Sequence, residues 1–281
     1  MKYDTIIIGA GAAGLMCAGE HTGRTLLIDH IKAPGEKIRI SGGGRCNFTN
    51  LYSSPENFLS HNQHFSKSAL SRYTQWDFIE LVKRYKIEYH EKTLGQLFCD
   101  GSSKQIIEML LTQLHKTNTE LKLSCIVRNL RKIETGFELI LEENNIQTNV
   151  KTKQLVIATG GKSIPKMGAT GFAYDIAKQF SIPLTETRAA LVPLIFSDAK
   201  FQPLVGTSTA TRVHNAKASF DEGMLFTHRG LSGPSILQIS SYWREGEVIF
   251  INLVPKIPIL EELKKQRQEQ GKRNLTNVLS Y

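Results

Sequence analysis

Residues 3–8 form a β-like run ending in three isoleucines, and they pass directly into Gly9-x-Gly11-x-x-Gly14 and a short helical stretch reaching about Glu20. A second β-like run, residues 25–29, follows Gly23 and ends on Asp29, twenty residues after Gly9. Strand, glycine turn, helix and terminal acid in this order are the context that gives the dinucleotide fingerprint its meaning. Gly9 permits the tight turn, Gly11 lets a pyrophosphate approach the backbone, and Gly14 lets the helix lie close on the strand. Ala12 and Ala13 open the helix, whose unpaired N–H groups favour an anion. Asp29 is expected to accept hydrogen bonds from ribose hydroxyls. The run Ile6-Ile7-Ile8 suits a parallel strand covered on both faces.

The fingerprint alone does not separate NAD from FAD, but the rest of the chain does. Amphipathic helices are expected around Phe78, Leu81, Val82 and Tyr85, and around residues 106–114, the latter preceded by Ser102-x-x-Gln105. Residues 87–101 read as a hairpin, and residues 50–66 as polar surface connection. Residues 121–150 shift to short alternating runs broken by Thr135-Gly136 and Glu143-Asn144-Asn145, an antiparallel meander. A buried strand at 154–158 then enters Ala158-Thr159-Gly160-Gly161. An ADP-binding β-α-β half interrupted by a meander and rejoined by such a strand is the layout of FAD domains of the glutathione-reductase type. No second GxGxxG occurs, so a separate nicotinamide domain is not expected. Seven of the nine prolines follow residue 160, and from Pro193 the chain reads as short β segments, with a polar helix at 260–273. The expected class is therefore α/β: a Rossmann-like FAD-binding domain over 1–190 and a mainly β insert over 191–281. A length of 281 residues accommodates two such domains.

A second glycine loop, Ser41-Gly42-Gly43-Gly44-Arg45-Cys46-Asn47, exposes backbone N–H groups to an anion or to the polar edge of a flavin. Arg45 adds a charge that does not titrate. Cys17, Cys46, Cys99 and Cys125 lack C-x-x-C spacing, so neither a zinc site nor a disulfide framework is signalled, and a reducing cytoplasm is expected. Cys46 has no resolving partner in sequence and reads as a packing residue. His228 and Arg229 lie in a glycine- and proline-punctuated turn and read as solvent-facing. Residues 1–19 have the rough profile of a secretory signal, which Asp4 and the early glycines argue against.

With the opening fingerprint, residues 41–47, Ala158-Thr159-Gly160-Gly161 and Met224-Leu-Phe-Thr-His-Arg-Gly-Leu-Ser-Gly-Pro234, the chain resembles the YhiN/BaiN-type flavoproteins along essentially its whole length. The resemblance implies an FAD-dependent oxidoreductase whose flavin domain is split by a largely β insert. Members include reductases of bile-acid-like steroids and an aminoketone oxidase. It places Gly9, Gly11, Ala12, Ala13, Gly14, Asp29, Lys37 and Ser41 to Asn47 against the cofactor, with a main-chain contact near Leu130. NAD(P)H is the expected transient electron donor and a small organic or steroid-like molecule the expected substrate. Asp29 stands where Glu is commoner. Family members return to the flavin domain after the insert, so a C-terminally shortened flavin domain is expected here.

Thirty-five Lys+Arg against 26 Asp+Glu leave a net charge of +9, which points to an anionic partner without naming it. A nucleic-acid-associated flavoprotein and a non-catalytic remnant are the rival readings. Because Lys264, Lys265, Arg267, Lys272 and Arg273 share their stretch with Glu261, Glu262 and Glu269, a solvated helix face is the simpler account. Only weak, unselective RNA binding is expected. No apolar run of 18 residues suggests a membrane span.

Overall fold

A computed structural model describes residues 2–198, 201–269 and 274. The chain divides into two compact units, Met1–Thr185 and Glu186–Tyr281.

The first unit follows the order β1 (Lys2–Ile8), α1 (Ala12–Glu20), β2 (Thr25–Ile28), α2 (Glu36–Ile40), β3 (Asn47–Asn50), α3 (Lys67–Arg72), α4 (Gln75–Arg84), β4 (Tyr89–Glu91) and β5 (Gln96–Cys99). It continues through α5 (Lys104–Leu114), β6 (Thr119–Lys122), β7 (Ile126–Ile133), β8 (Gly136–Glu143), β9 (Ile146–Ile157) and α6 (Phe172–Gln179). Its main sheet has the order β6-β2-β1-β9-β8-β7. β1 runs parallel to β2 and β9, and β2 parallel to β6, while β7, β8 and β9 are antiparallel. This is the expected α/β class, a Rossmann-like sheet extended by a meander.

Side chains alternate across a strand, and the three isoleucines show it: Ile7 joins one core with α1 and α5, while Ile6 and Ile8 join the other beneath the meander. Both faces of β1 are therefore dry. β9 departs from the expected two pieces. It is one twelve-residue strand whose first half pairs with β8 and whose second half pairs with β1. The Lys-rich alternation at 148–153 is its meander half, and the apolar 155–157 its buried half, so the change of environment resembles a chain break in sequence. β6, counted in sequence as the start of the meander, instead extends the parallel sheet. The hairpin β4–β5 forms as expected, but β3 adds a third strand in the order β3-β5-β4.

The second unit contains β10 (Leu194–Ile195), β11 (Ser208–His214), β12 (Ser219–Thr227), β13 (Gly230–Ser232), α7 (Pro234–Ser240), β14 (Phe250–Asn252) and α8 (Ile259–Glu269). Its sheet is antiparallel, in the order β10-β13-β12-β11-β14. Val213, Met224, Phe226 and Leu231 of the sheet and Ile236 and Ile239 of α7 make its core. α7 is absent from the sequence reading, yet Pro234 at its first position, after Gly233, is a standard helix start. The polar helix expected at 260–273 is α8 as far as Glu269; Lys272 and Arg273 lie outside the described residues. No helix among the described residues is long and apolar enough to cross a membrane.

Candidate cofactor cradle

Three loops of the first unit meet at the carboxyl ends of β1 and β9. The first is Gly9–Gly14. Gly9 has φ +110°, and a Cβ there would lie 2.5 Å from the Ala158 carbonyl oxygen, so the close approach of the third loop requires glycine. A Cβ on Gly14 would fall 1.8 Å from the Gly9 carbonyl oxygen, which is the close packing of helix on turn that its position predicts. Gly11 differs. Its φ of −82° and ψ of −167° are open to any residue, and a Cβ there would meet nothing within 4 Å. The glycine thus leaves space at the start of α1, where no side chain caps the helix, no acid sits in the first turn, and Ala12 and Ala13 are exposed.

The second loop docks on the first through the Gly35 N–H, which donates to the Ala10 carbonyl at 2.9 Å. Gly42, Gly43 and Gly44 then take φ values of +57°, +66° and +87°. Gly42 is packed, since a Cβ would press on the Phe98 ring and the Asn47 nitrogen at 2.7 Å, but Gly43 and Gly44 face open space. The loop is pinned from behind: Ser103 N–H donates to the Gly44 carbonyl at 2.8 Å, Cys99 N–H to the Arg45 carbonyl at 2.9 Å, and Ser103 Oγ to the Arg39 carbonyl at 2.7 Å. Ser41 Oγ donates to the Ile38 carbonyl at 2.8 Å. Arg45 and Asn47 are exposed.

The third loop starts where Ala158 N–H donates to the Ile8 carbonyl at 2.8 Å. Gly160, at φ +69°, has only Lys37 Nζ near its absent Cβ, at 3.9 Å. A Cβ on Gly161 would lie 3.0 Å from the Tyr174 hydroxyl. Lys37 reaches across from α2 and donates to Ser163 Oγ at 2.9 Å, tying the second loop to the third. Among the described residues neither Lys37 nor Arg45 pairs with an acid, which leaves two cations on the rim. Thr159 Oγ1 is buried with no hydrogen-bond partner. A buried hydroxyl without a partner is costly, and in a loop facing a glycine cradle it marks where a ligand group completes the bonding. Open glycines on all three loops, an uncapped helix start and this orphan hydroxyl fit an anionic dinucleotide.

Asp29 and Leu130 lie in different places. Asp29 is buried with its carboxylate turned inward: Oδ2 accepts from the Ala10 N–H at 2.6 Å, and Oδ1 from the Ile31 N–H at 3.2 Å, with His30 Nδ1 also at 3.2 Å. The carboxylate thus braces the glycine loop at Ala10. Leu130 is not at the cradle. It is buried in β7 opposite Leu139, and its carbonyl accepts from Gln179 Nε2 at 2.6 Å. The segment beside the Asp29 end is 122–125, where Ser124 N–H donates to the Ile31 carbonyl and Cys125 N–H to the Asp29 carbonyl, both at 2.9 Å. The meander's alternation hid this because register cannot be read from one strand.

Cys46 is buried at φ +52°, and burial pushes its thiol up against the smaller opposing effect of a Ser41 hydrogen bond. Cys99 is pushed up to about 11, first by burial and then by Cys46. Neither is an activated thiolate. His228 and Arg229 form the exposed two-residue turn between β12 and β13, in the second unit. Sequence reasoning missed Ser163 and Ser103, whose partners are distant in sequence.

The HI0933-like protein Rossmann domain model matches residues 3–249. The chain is 49% identical over 286 residues to a ribosomal RNA dihydrouridine synthase of Escherichia coli K12, covering 99% of this chain and 70% of that protein. It is 44% identical over 284 residues to a protein of the same name from Haemophilus influenzae, covering 98% of this chain and again 70% of the relative. A 3-dehydro-bile acid delta(4,6)-reductase of Clostridium scindens is 23% identical over 252 residues, or 85% of this chain and 60% of that one. None of these three carries the name of an aminoketone oxidase.

Proposed function

We propose that this chain, which belongs to the HI0933-like family of Rossmann-domain proteins, is an FAD-dependent oxidoreductase that reduces a uracil base in RNA. The observation that carries the cofactor is the three-loop cradle, with Gly11, Gly43, Gly44 and Gly160 open to a ligand and Thr159 Oγ1 buried without a partner. The α1 N-terminus at Ala12 and Ala13 would hold the pyrophosphate, and Thr159 with Gly160 and Gly161 would close its other side. Gly43 and Gly44 would offer backbone donors, and Arg45 a fixed charge, to the flavin's polar edge. Lys37 would hold the second and third loops together beside it. When bound, FAD supplies the hydride chemistry; the residues named here bind and orient it and exclude water. We assign 1–190 to flavin binding and 191–281 to a substrate-binding insert, with NAD(P)H as reductant and the cytoplasm as the setting.

The substrate class rests on two relatives at 49% and 44% identity, both named for dihydrouridine formation in ribosomal RNA, and on the net charge of +9. It replaces the expectation of weak, unselective RNA binding. Dihydrouridine differs from uridine by two hydrogens across one ring double bond, so the step draws a hydride from reduced flavin and a proton from solvent or protein. The second reading is reduction of a steroid-like enone, favoured by the bile-acid reductase relative at 23% identity. The test is an anaerobic reaction of the FAD-loaded, NADPH-reduced chain with a ribosomal RNA fragment. RNA gaining two hydrogens as the flavin reoxidises supports the first reading. Unchanged RNA with rapid reoxidation by a steroid enone supports the second.

A further inference from the structure

We infer that the surface formed by residues 52–76 of the first unit is a stacking platform for single-stranded RNA. Glu56 is the one acid within residues 52–76, with Asp77 just after them, and Phe58, Phe65, Tyr73 and Trp76 are interspersed with His61, His64, Lys67 and Arg72. These rings are not core. Phe65 is 79% exposed and Trp76 56%, and Phe58 and Tyr73 are exposed as well. Tyr52, 70% exposed, belongs to the same face: Gln75 Nε2 donates to the Leu51 carbonyl at 3.0 Å, which ties the start of α4 to the residue before Tyr52. An amphipathic helix normally turns its aromatics inward. α4 does this with Phe78, which packs against Phe48, but leaves Trp76 outside.

The chemistry of the face selects its occupant. A docking site for another protein has an apolar centre depleted of charge. Here amides, imidazoles, hydroxyls and cations stand between the rings, and among the described residues Lys67 and Arg72 form no salt bridge, with the Glu56 carboxylate within reach of the charge on Lys67. Exposed rings interleaved with cations and polar donors, with Glu56 the single carboxylate inside residues 52–76, match what single-stranded nucleic acid requires: π-faces for bases and charges for the backbone. The inference rests on the RNA reading above and extends it by naming the surface that grips the strand.

The test is fluorescence anisotropy of a labelled uridine-containing single-stranded RNA and its duplex, with the full chain as wild type, Phe65→Ala/Trp76→Ala and Lys67→Gln/Arg72→Gln. FAD titration and thermal midpoint serve as controls for folding. The expected result is about a tenfold loss of single-strand affinity for each ring removed, with FAD binding unchanged. For the charge pair, the dependence of log affinity on log salt should flatten by about 1.4. Tight RNA binding by the wild type that the ring variant retains in full would overturn the platform and leave the RNA reading standing. Absence of RNA binding by the wild type at low salt would overturn both.

Discussion

Replacing Gly11 by valine should separate the cradle's role in binding from its role in folding. The backbone at Gly11 is in a region any residue adopts, and a Cβ there meets no protein atom within 4 Å. The fold should therefore lose only the N-cap preference of glycine over valine, about 1 kcal/mol or less, which lowers the midpoint of a unit this size by about 2–4 °C. The ligand loses far more. Branched carbons would stand where the pyrophosphate meets the N–H groups of Ala12 and Ala13, and hydrogen bonds to a charged group are worth about 1.5–3 kcal/mol each. Losing both is about 3–6 kcal/mol, or roughly 10²- to 10⁴-fold in Kd. The assay is the thermal midpoint with and without FAD. Wild type at a hundredfold excess over Kd gains about 2.7 kcal/mol, and the variant should gain almost nothing. A variant stabilised by FAD as strongly as wild type would refute the placement of the pyrophosphate, and a collapse of the midpoint without FAD would show that Gly11 is structural.

Gly14→Ala should do the reverse. Its Cβ would overlap the Gly9 carbonyl oxygen at 1.8 Å, so unfolding in urea should show a loss of about 3 kcal/mol or more before any ligand is added. Asp29→Ala strands the buried Ala10 N–H and should cost about 1–3 kcal/mol, whereas Asp29→Asn, which keeps an acceptor, should cost less; equal losses in the two urea curves would contradict the bracing role. Alkaline stability should fall. Burial pushes the Cys99 thiol up to about 11, and burial with the Glu120 carboxylate pushes the Tyr3 hydroxyl up to about 12. Between pH 9 and 11 the unfolded chain therefore releases protons that the native chain keeps, and unfolding becomes easier as pH rises. A Cys99→Ala/Tyr3→Phe variant should flatten that slope in denaturation curves across this range.

Much of the first unit was legible because its signals are local. Three isoleucines specify a two-sided strand, the glycine spacing specifies the turn and helix, and both are fixed within fourteen residues. The Ser41–Asn47 loop was legible for the same reason: three glycines in succession have few uses other than positive φ. What escaped depends on contacts distant in sequence. That Asp29 also accepts from the Ala10 N–H depends on how closely the turn folds back. Leu130 was misplaced because the main-chain segment meeting Asp29 comes from 122–125, ahead of the meander. β9 was split because a strand that changes neighbours midway changes its hydrophobic pattern with them.

The central claim, a flavin held in a cradle of three glycine loops, is tested most directly by titrating FAD with the full chain and following flavin fluorescence, with NAD added as competitor. The account predicts saturable quenching at one FAD per chain that NAD does not reverse. Saturable NAD binding at the same loops, with no change in flavin fluorescence, would contradict it.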